Sequence, residues 1–237
     1  MYSEDIIQKY LGGLAEGGIL LLSYNQYSLG WRIGITYVKH RLEQGDFALF
    51  IDFTLPVSRF IDRLKSVGLD AIKEGEKGNL VIINAFDEKD LGYSFVYPID
   101  ADLHTLISKL GKIKRKIAEK YNLKERRCIG IAATLDMIHR RWGNDTLKNL
   151  LIRTMTTFER LQLEGYKASS ILIVNRDALP RDLHSWLITL SDQVIITRGE
   201  LRSGTFIETI AIIKDNKPDF EPKTMVKEFK PTKTTNL

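Results

Sequence analysis

The segment GGILLLSYNQYSLGWRIGITYVKHRL joins an apolar run, a polar loop and an amphipathic stretch. A strand, a loop and a helix in this order bring backbone N–H groups to a helix start, where they can bind phosphate. Loops of the G-x-x-x-x-G-K-[ST] type also need a lysine for the outer phosphates and a hydroxyl for magnesium. Residues 24–32 read YNQYSLGWR. The layout of a phosphate-binding loop is present, and its chemically required residues are not.

Ligand-binding candidates remain in this loop, because α/β sheets hold their sites at the carboxyl ends of strands. The candidate positions are Asn25, Gln26, Ser28 and Gly30. The alternative interpretation is an ordinary strand-to-helix turn whose asparagine and serine cap the helix. The sequence leaves both interpretations open.

A row of lysines at helical spacing is a second candidate site. The row consists of Lys109, Lys112, Lys116 and Lys120. Such a row can follow a nucleic-acid backbone, and it is also typical of a helix face that points to water. Base stacking requires aromatic residues among the basic ones, and the row itself contains none.

The remaining reactive residues predict no catalytic site, no metal and no cofactor. Cys128 is the only cysteine, so it cannot form an internal disulfide, and no cysteine or histidine cluster has zinc spacing. Asp136 and His139 stand three residues apart without further ligands in their segment. No nucleophile has an adjacent base in the sequence.

Composition is typical of one globular domain of the α/β class. The chain has 237 residues, 43% of them hydrophobic, and a net charge of +5, which permits acidic partners without requiring them. It lacks an uncharged apolar run of about 18 residues and an N-terminal signal pattern. We therefore expect a cytoplasmic protein with no membrane contact.

Apolar runs alternate with amphipathic stretches, which predicts repeated βαβ units and a mainly parallel sheet between two helical layers. The strands are expected at 19–23, 47–53, 80–84, 128–135, 170–175 and 193–197, followed by a hairpin that ends at 214. This pattern predicts one domain over 1–215. Residues 216–237 are rich in lysine and proline, so we expect a polar, loosely ordered tail.

The order of these elements resembles the RecA-like ATPases, and most closely their KaiC-like branch. The similar passages are GDFALFIDFTLPVSRFIDRLKSVGLD with KGNLVIINAFDEK, and SSILIVNRD with LSDQVIITRGELRSGTFIETIAIIKDN. The resemblance covers about the first 215 residues and implies a RecA-like P-loop fold with a C-terminal β-hairpin. The chain resembles in particular an archaeal group of uncharacterised KaiC-related proteins with degenerate Walker motifs.

The resemblance also implies where the family's functional residues would fall. The Walker A lysine falls on Gly30 and the magnesium-binding hydroxyl on Trp31. The paired glutamates that activate water fall on Thr54 and Leu55, and the Walker B aspartate falls on Ala132. None of these five residues can supply the chemistry of the residue it replaces.

We therefore expect a catalytically inactive pseudo-ATPase that acts as a regulatory or protein-interaction module, through a protein partner or self-association. Nucleotide binding should be weak or absent. One alternative is an accessory DNA-recombination protein that binds single-stranded DNA through its lysine row. Another is an ATP-binding protein with a non-standard loop. An enzyme with an unfamiliar ligand in the same crevice ranks last, because no nucleophile with an adjacent base supports it.

Overall fold

The structure, a computed structural model, describes residues 4–86, 92–99, 105–133 and 135–229. Its strands are β1 (Ile19–Tyr24), β2 (Phe47–Asp52), β3 (Leu80–Asn84), β4 (Val96–Pro98), β5 (Cys128–Ala133), β6 (Ala168–Asn175), β7 (Gln193–Arg202), β8 (Thr205–Lys214) and β9 (Lys223–Phe229). Its helices are α1 (Ile6–Leu11), α2 (Trp31–Glu43), α3 (Val57–Lys65), α4 (Ala71–Glu76), α5 (Leu106–Lys120), α6 (Leu135–Trp142), α7 (Asn144–Leu163) and α8 (Arg181–Leu190).

The described strands form one sheet in the order β4-β3-β2-β5-β6-β1-β7-β8-β9. The pairs from β4 to β7 are parallel, and β7, β8 and β9 pair antiparallel. The predicted α/β class, with a mainly parallel sheet and a C-terminal hairpin, is confirmed.

The central strands are continuous apolar runs because both of their faces are covered. Every residue of β1, β2 and β3 is buried. Helices α1 to α4 pack on one face of the sheet, and α5 to α8 pack on the other. Burying one large aliphatic side chain contributes about 1.5–3 kcal/mol, so these two layers supply most of the stabilisation.

Three elements differ from the sequence-based expectations. The prediction of a loosely ordered tail is wrong for Lys223–Phe229, because this segment forms β9 beside β8. Residues 230–237 lie outside the described part of the chain. The short strand β4 extends the opposite side of the sheet, and α6 begins where the fourth predicted strand was expected to end.

Candidate functional site

The loop between β1 and α2 lies at the switch point of the sheet. From β1 the chain crosses to β2 on one side, whereas β7 lies on the other side of β1. Open α/β sheets place their ligand crevices outside the carboxyl ends of strands at such a point. The fold therefore puts the loop at 25–30 where a binding site is expected.

A buried carboxylate of the chain itself lies against this loop. The Ser28 hydroxyl donates to Oε1 of Glu208 and lies 2.6 Å from Oγ1 of Thr197. The N–H of Leu29 donates to Oε2 of Glu208 at 3.2 Å, and the N–H of Gly30 donates to the Ser28 oxygen at 2.9 Å. Glu208 and Thr197 are both fully buried. Glu208 thus places a buried carboxyl group of the chain itself just ahead of α2, where a phosphate-binding loop holds its ligand.

The opposite side of the loop is held by the backbone of β7. The Asn25 amide donates to the Gly199 carbonyl at 2.9 Å and accepts from the Gly199 N–H at 2.8 Å. The N–H of Gln26 donates to Oδ2 of Asp177 at 3.0 Å. Tyr27 is 64% exposed, so its ring does not fill the loop. Asn25 therefore fixes the loop to β7 with both ends of its amide.

Two glycines allow this close packing. A Cβ on Gly30 would lie 1.9 Å from Oγ1 of Thr197, although the φ of −54° at Gly30 suits any residue. A Cβ on Gly199 would lie 2.5 Å from the Tyr27 carbonyl oxygen. Gly30 and Gly199 are therefore required for the close approach of loop and strand, and the space between them is already filled by protein atoms.

The structure brings all four predicted loop residues together at the sheet edge. The Asn25 side chain, the Ser28 side chain and the Gly30 backbone are engaged in the contacts above, whereas Gln26 uses only its backbone and is exposed. Their role in binding a ligand stays a prediction. Sequence reasoning missed Glu208, which is 180 residues from Ser28, because nothing local to the loop indicates it.

The carboxylate at the end of β2 stabilises a turn. Asp52 accepts from the N–H and the hydroxyl of Thr54, at 3.2 and 2.8 Å, and from the N–H of Leu55 at 3.1 Å. Burial raises the pKa of Asp52, and these hydrogen bonds oppose the rise. Thr54 and Leu55 are the positions onto which the resemblance carried the water-activating glutamates. In their place, the structure has a turn that Asp52 holds.

Arginine, not lysine, brings positive charge to this edge. The Arg63 guanidinium lies 4.1 Å from the centre of the Trp31 ring, and that of Arg32 lies 5.4 Å from it. Burial raises the pKa of Asp136, while its bond from the Asn175 N–H and the Arg63 charge act to lower it. Trp31 is thus a ring between two cations, partly buried against the core.

A serine and a histidine form a pair that the sequence analysis missed. Oγ of Ser23 lies 2.8 Å from Nε2 of His184. Burial lowers the pKa of His184, and the Arg176 charge lowers it further. Ser23 is fully buried, and in the described part of the chain no carboxylate lies within hydrogen-bond distance of the His184 ring. A nucleophilic serine needs access to substrate and an oriented base, so this pair is structural.

The lysine row lies on α5, with Lys112, Lys116 and Lys120 exposed and Lys109 half-buried. Two aromatic residues lie at its end, Tyr97 from β4 and Tyr121, which directly follows Lys120 in the sequence. Nζ of Lys120 donates to the Tyr97 hydroxyl at 3.2 Å and lies 5.0 Å from the Tyr121 ring centre. The Tyr97 hydroxyl thereby raises the pKa of Lys120. The fold therefore adds one aromatic neighbour, Tyr97, to the one that the sequence places beside the row.

Metal and membrane chemistry receive no support from the described residues. Across 4–86, 92–99, 105–133 and 135–229, no three histidine, cysteine or acidic side chains cluster closely enough to hold a metal ion. Asp136 lies in the first turn of α6, and no such cluster includes it together with His139. No helix within these ranges has both the length and the apolar character of a membrane span.

Comparisons with known proteins identify the fold. No protein-family model and no curated protein matches the sequence. An uncharacterised Pyrococcus horikoshii protein, solved in complex with an unknown peptide, superposes with a TM-score of 0.72 at 17% identity, over 93% of this chain and 96% of its own. A KaiC-like protein of Pyrococcus horikoshii OT3 superposes with a TM-score of 0.65 at 12% identity, over 92% and 88%. With its sheet order and C-terminal hairpin, this chain has a KaiC/RecA-like fold.

Proposed function

We propose that this chain is a KaiC/RecA-like domain that does not hydrolyse ATP and serves as a protein-interaction module. The observation that carries the proposal is the buried Glu208 carboxylate, which accepts hydrogen bonds from Ser28 and from the Leu29 N–H ahead of α2. In this proposal the Glu208 carboxylate is ionised, so that it is an internal anion that repels a triphosphate from the loop and uses the donors that would bind it.

The chemistry of phosphoryl transfer supports the same conclusion. The transition state is stabilised by positioned charges, and removing one such contact costs about 100- to 1,000-fold in rate. Here the lysine and magnesium positions hold Gly30 and Trp31, and the water-activating positions hold Thr54 and Leu55. The losses fall at separate places in the chain, so no single substitution restores turnover.

The interaction role is supported by one of the solved relatives. The Pyrococcus horikoshii protein with 17% identity was solved in complex with an unknown peptide. Its structural similarity to this chain extends over 93% of this chain and 96% of its own. A domain that keeps an intact core and lacks the catalytic residues retains surfaces with which it can bind other proteins. We assign this chain a peptide- or protein-binding role, with self-association as one form of it.

Calorimetric titration with Mg-ATP tests the nucleotide half of the proposal. We expect no affinity tighter than about millimolar, which corresponds to roughly 4 kcal/mol. In Glu208→Gln the affinity for ATP should rise, whereas the Glu200→Gln control, at a partly exposed position of the same hairpin, should leave it unchanged. Micromolar binding to the wild type that disappears in Gln26→Ala would show a rebuilt nucleotide site and overturn the proposal.

Selection from a displayed peptide library tests the interaction half. The immobilised full chain should enrich a defined peptide class that then binds in solution with micromolar affinity, as is common for recognition of short segments. Sedimentation velocity over a wide concentration range tests self-association. A chain that enriches no sequence and remains monomeric at every concentration contradicts the interaction role.

A second candidate function is binding of single-stranded nucleic acid along α5. The favouring observation is that Tyr97 and Tyr121 lie against Lys120 at the end of the lysine row, which combines charge with stacking surfaces. Lys112→Glu with Lys116→Glu should abolish binding and flatten its salt dependence. Lys65→Glu with Lys73→Glu, on α3 and α4, is the charge-matched control. Equal binding by both double variants excludes α5 as the nucleic-acid surface.

A further inference from the structure

Small residues on two neighbouring strands leave space beneath one helical layer. In the register of β5 and β6, Cys128 faces Ala168 and Gly130 faces Ser170. These four residues lie on the face covered by α5 and α7, whereas the opposite face of both strands carries buried isoleucines. The result is an apolar cavity of about 110 Å³ between the sheet and the two helices.

The cavity continues into a trench between α5 and α7, and Leu110, Thr154 and Leu161 line both spaces. The first turns of α7 bury Leu147, Leu150 and Leu151, whereas Leu163 near its end is 90% exposed. The trench between α5 and α7 has a volume of about 440 Å³. Together, the cavity and the trench form the α5–α7 cleft, which is in the size range of small-molecule sites.

One cation lies at the junction of the two spaces. Lys114 lines both the cavity and the trench. The residue is half-buried, and its desolvation lowers its pKa. Among the described residues it has no hydrogen-bond or ion-pair partner. Cys128 does not act as its counter-ion, because burial raises the pKa of that thiol to about 12 and leaves it neutral. A partly desolvated cation without a partner is less favourable than one in water, so this position favours an anion.

The mouth of the trench adds further positive charge. Arg115, Arg153 and Arg160 line it, together with Glu119 and Glu164. Arg160 lies 3.6 Å from Glu164, and in the described ranges Arg115 and Arg153 form no ion pair. The cleft therefore has an apolar inner end, a half-buried cation at its middle and a net positive opening.

We propose that the α5–α7 cleft binds an amphipathic organic anion, with its carboxylate at Lys114 and its hydrocarbon tail in the cavity. A hydrocarbon chain charged at one end matches this gradient of polarity. A peptide backbone in the inner cavity would place N–H and C=O groups among leucine side chains such as Leu110, Leu135 and Leu172, where they lose hydrogen bonds. This inference does not rest on the proposed function, since the two sites lie on different parts of the fold.

Calorimetric titration of the full chain with decanoate, and with uncharged decanol, tests the proposal. The wild type should bind decanoate more tightly than decanol. Lys114→Met keeps the apolar stem and removes the charge, so it should weaken decanoate binding about tenfold or more and leave decanol binding unchanged. Lys112→Met, on the exposed face of α5, is the matched control and should behave as wild type.

Filling the cavity tests the position of the tail. Ala168→Leu should abolish binding of both probes and raise the melting temperature, because its side chain occupies the cavity. Ser170→Val fills the adjacent position and serves if Ala168→Leu does not fold. Decanoate binding that is absent in the wild type, equal in Lys114→Met, or retained in both filled variants overturns the proposal. An acidic peptide that binds the cleft when decanoate does not would also overturn it. None of these outcomes bears on the Mg-ATP titration, which tests the opposite helical layer and the loop.

Discussion

The loop at 25–30 and the α5–α7 cleft lie on the same sheet and differ in whether protein atoms already occupy their space. The loop stands where α/β folds place ligands, yet Glu208 and the Gly199 backbone already use its donors and its space. The cleft stands where no motif indicated a site, yet it has volume and a half-buried cation, Lys114, without a described partner. Position in the fold indicates where a site can form, and only the local contacts decide whether it remains open.

Removing the internal anion should have the largest effect. Glu208→Ala leaves the Ser28 hydroxyl and the Leu29 N–H without their acceptor in a buried place. We expect the free energy of unfolding to fall by about 3 kcal/mol, because buried groups that lose a charged partner pay their full desolvation cost. Urea denaturation followed by circular dichroism measures this change.

Two controls isolate the buried charge from the rest of the hairpin. Glu208→Gln keeps one acceptor oxygen and should lose about 1 kcal/mol. Glu200→Ala removes a half-buried carboxylate that pairs with the exposed Arg198 and Arg202, and should change stability by less than about 1 kcal/mol. Equal losses in Glu208→Ala and Glu200→Ala would show that the loop does not depend on the internal anion.

Adding one methyl group at Gly199, where β7 packs closely against the loop, should cause the next largest loss of stability. Gly199→Ala places a Cβ 2.5 Å from the Tyr27 carbonyl oxygen, which is backbone and cannot move aside cheaply. Overpacking of this kind costs about 1–3 kcal/mol. Denaturant midpoints of the variant and the wild type measure the cost. An unchanged midpoint would mean that the loop has more room than its contacts indicate.

Much of the fold follows from the sequence, because buried parallel strands are continuous apolar runs and helices show their own period. The position of the candidate loop follows from the same pattern. Glu208 does not, since it meets the loop only after β8 has paired with β7. The strand β9 was missed because it covers an edge and needs few apolar residues, although KTMVKEF shows half-buried residues at alternate positions.

One part of the α5–α7 cleft is also indicated by the sequence. In β5, CIGIAA alternates isoleucine or alanine with cysteine, glycine and alanine, so one face of the strand is visibly smaller than the other. What the sequence does not contain is the position of α7 relative to α5, and the trench lies between these two helices. The periodicity of a helix does not give its distance from its neighbours, so only tertiary structure locates the opening.

Lowering the pH should reduce the stability that the Ser23–His184 pair contributes. The pKa of His184 lies below its usual value of 6.5 because of burial, so the folded chain holds the ring neutral. The unfolded chain takes up the proton first as pH falls, and the stability that depends on the neutral ring is lost below about pH 6.5. His184→Gln should lose about 1 kcal/mol at pH 8, where the contact to Ser23 is intact.

The pH dependence of the stability lost in His184→Gln tests whether the pKa of His184 is lowered or whether the ring contributes by packing alone. The difference between wild type and His184→Gln should narrow as the pH is lowered from 8 to about 5.5, because only the wild type loses this contribution. Parallel urea titrations of both proteins measure it, and the carboxylates that titrate in both cancel. A difference that stays constant over this range would contradict a depressed pKa at His184.

The smallest expected effect lies in the cleft and has the opposite sign to that of Gly199→Ala. Gly111 is on α5 beside the trench, and a Cβ there would meet no atom within 4 Å. Glycine within a helix costs about 0.5–1 kcal/mol relative to alanine, so Gly111→Ala should raise the free energy of unfolding by that amount. The same substitution thus destabilises the closed loop and stabilises the helix beside the open cleft. If Gly111→Ala were destabilising, protein atoms would have to fill the trench in solution, and the cleft would be as closed as the loop.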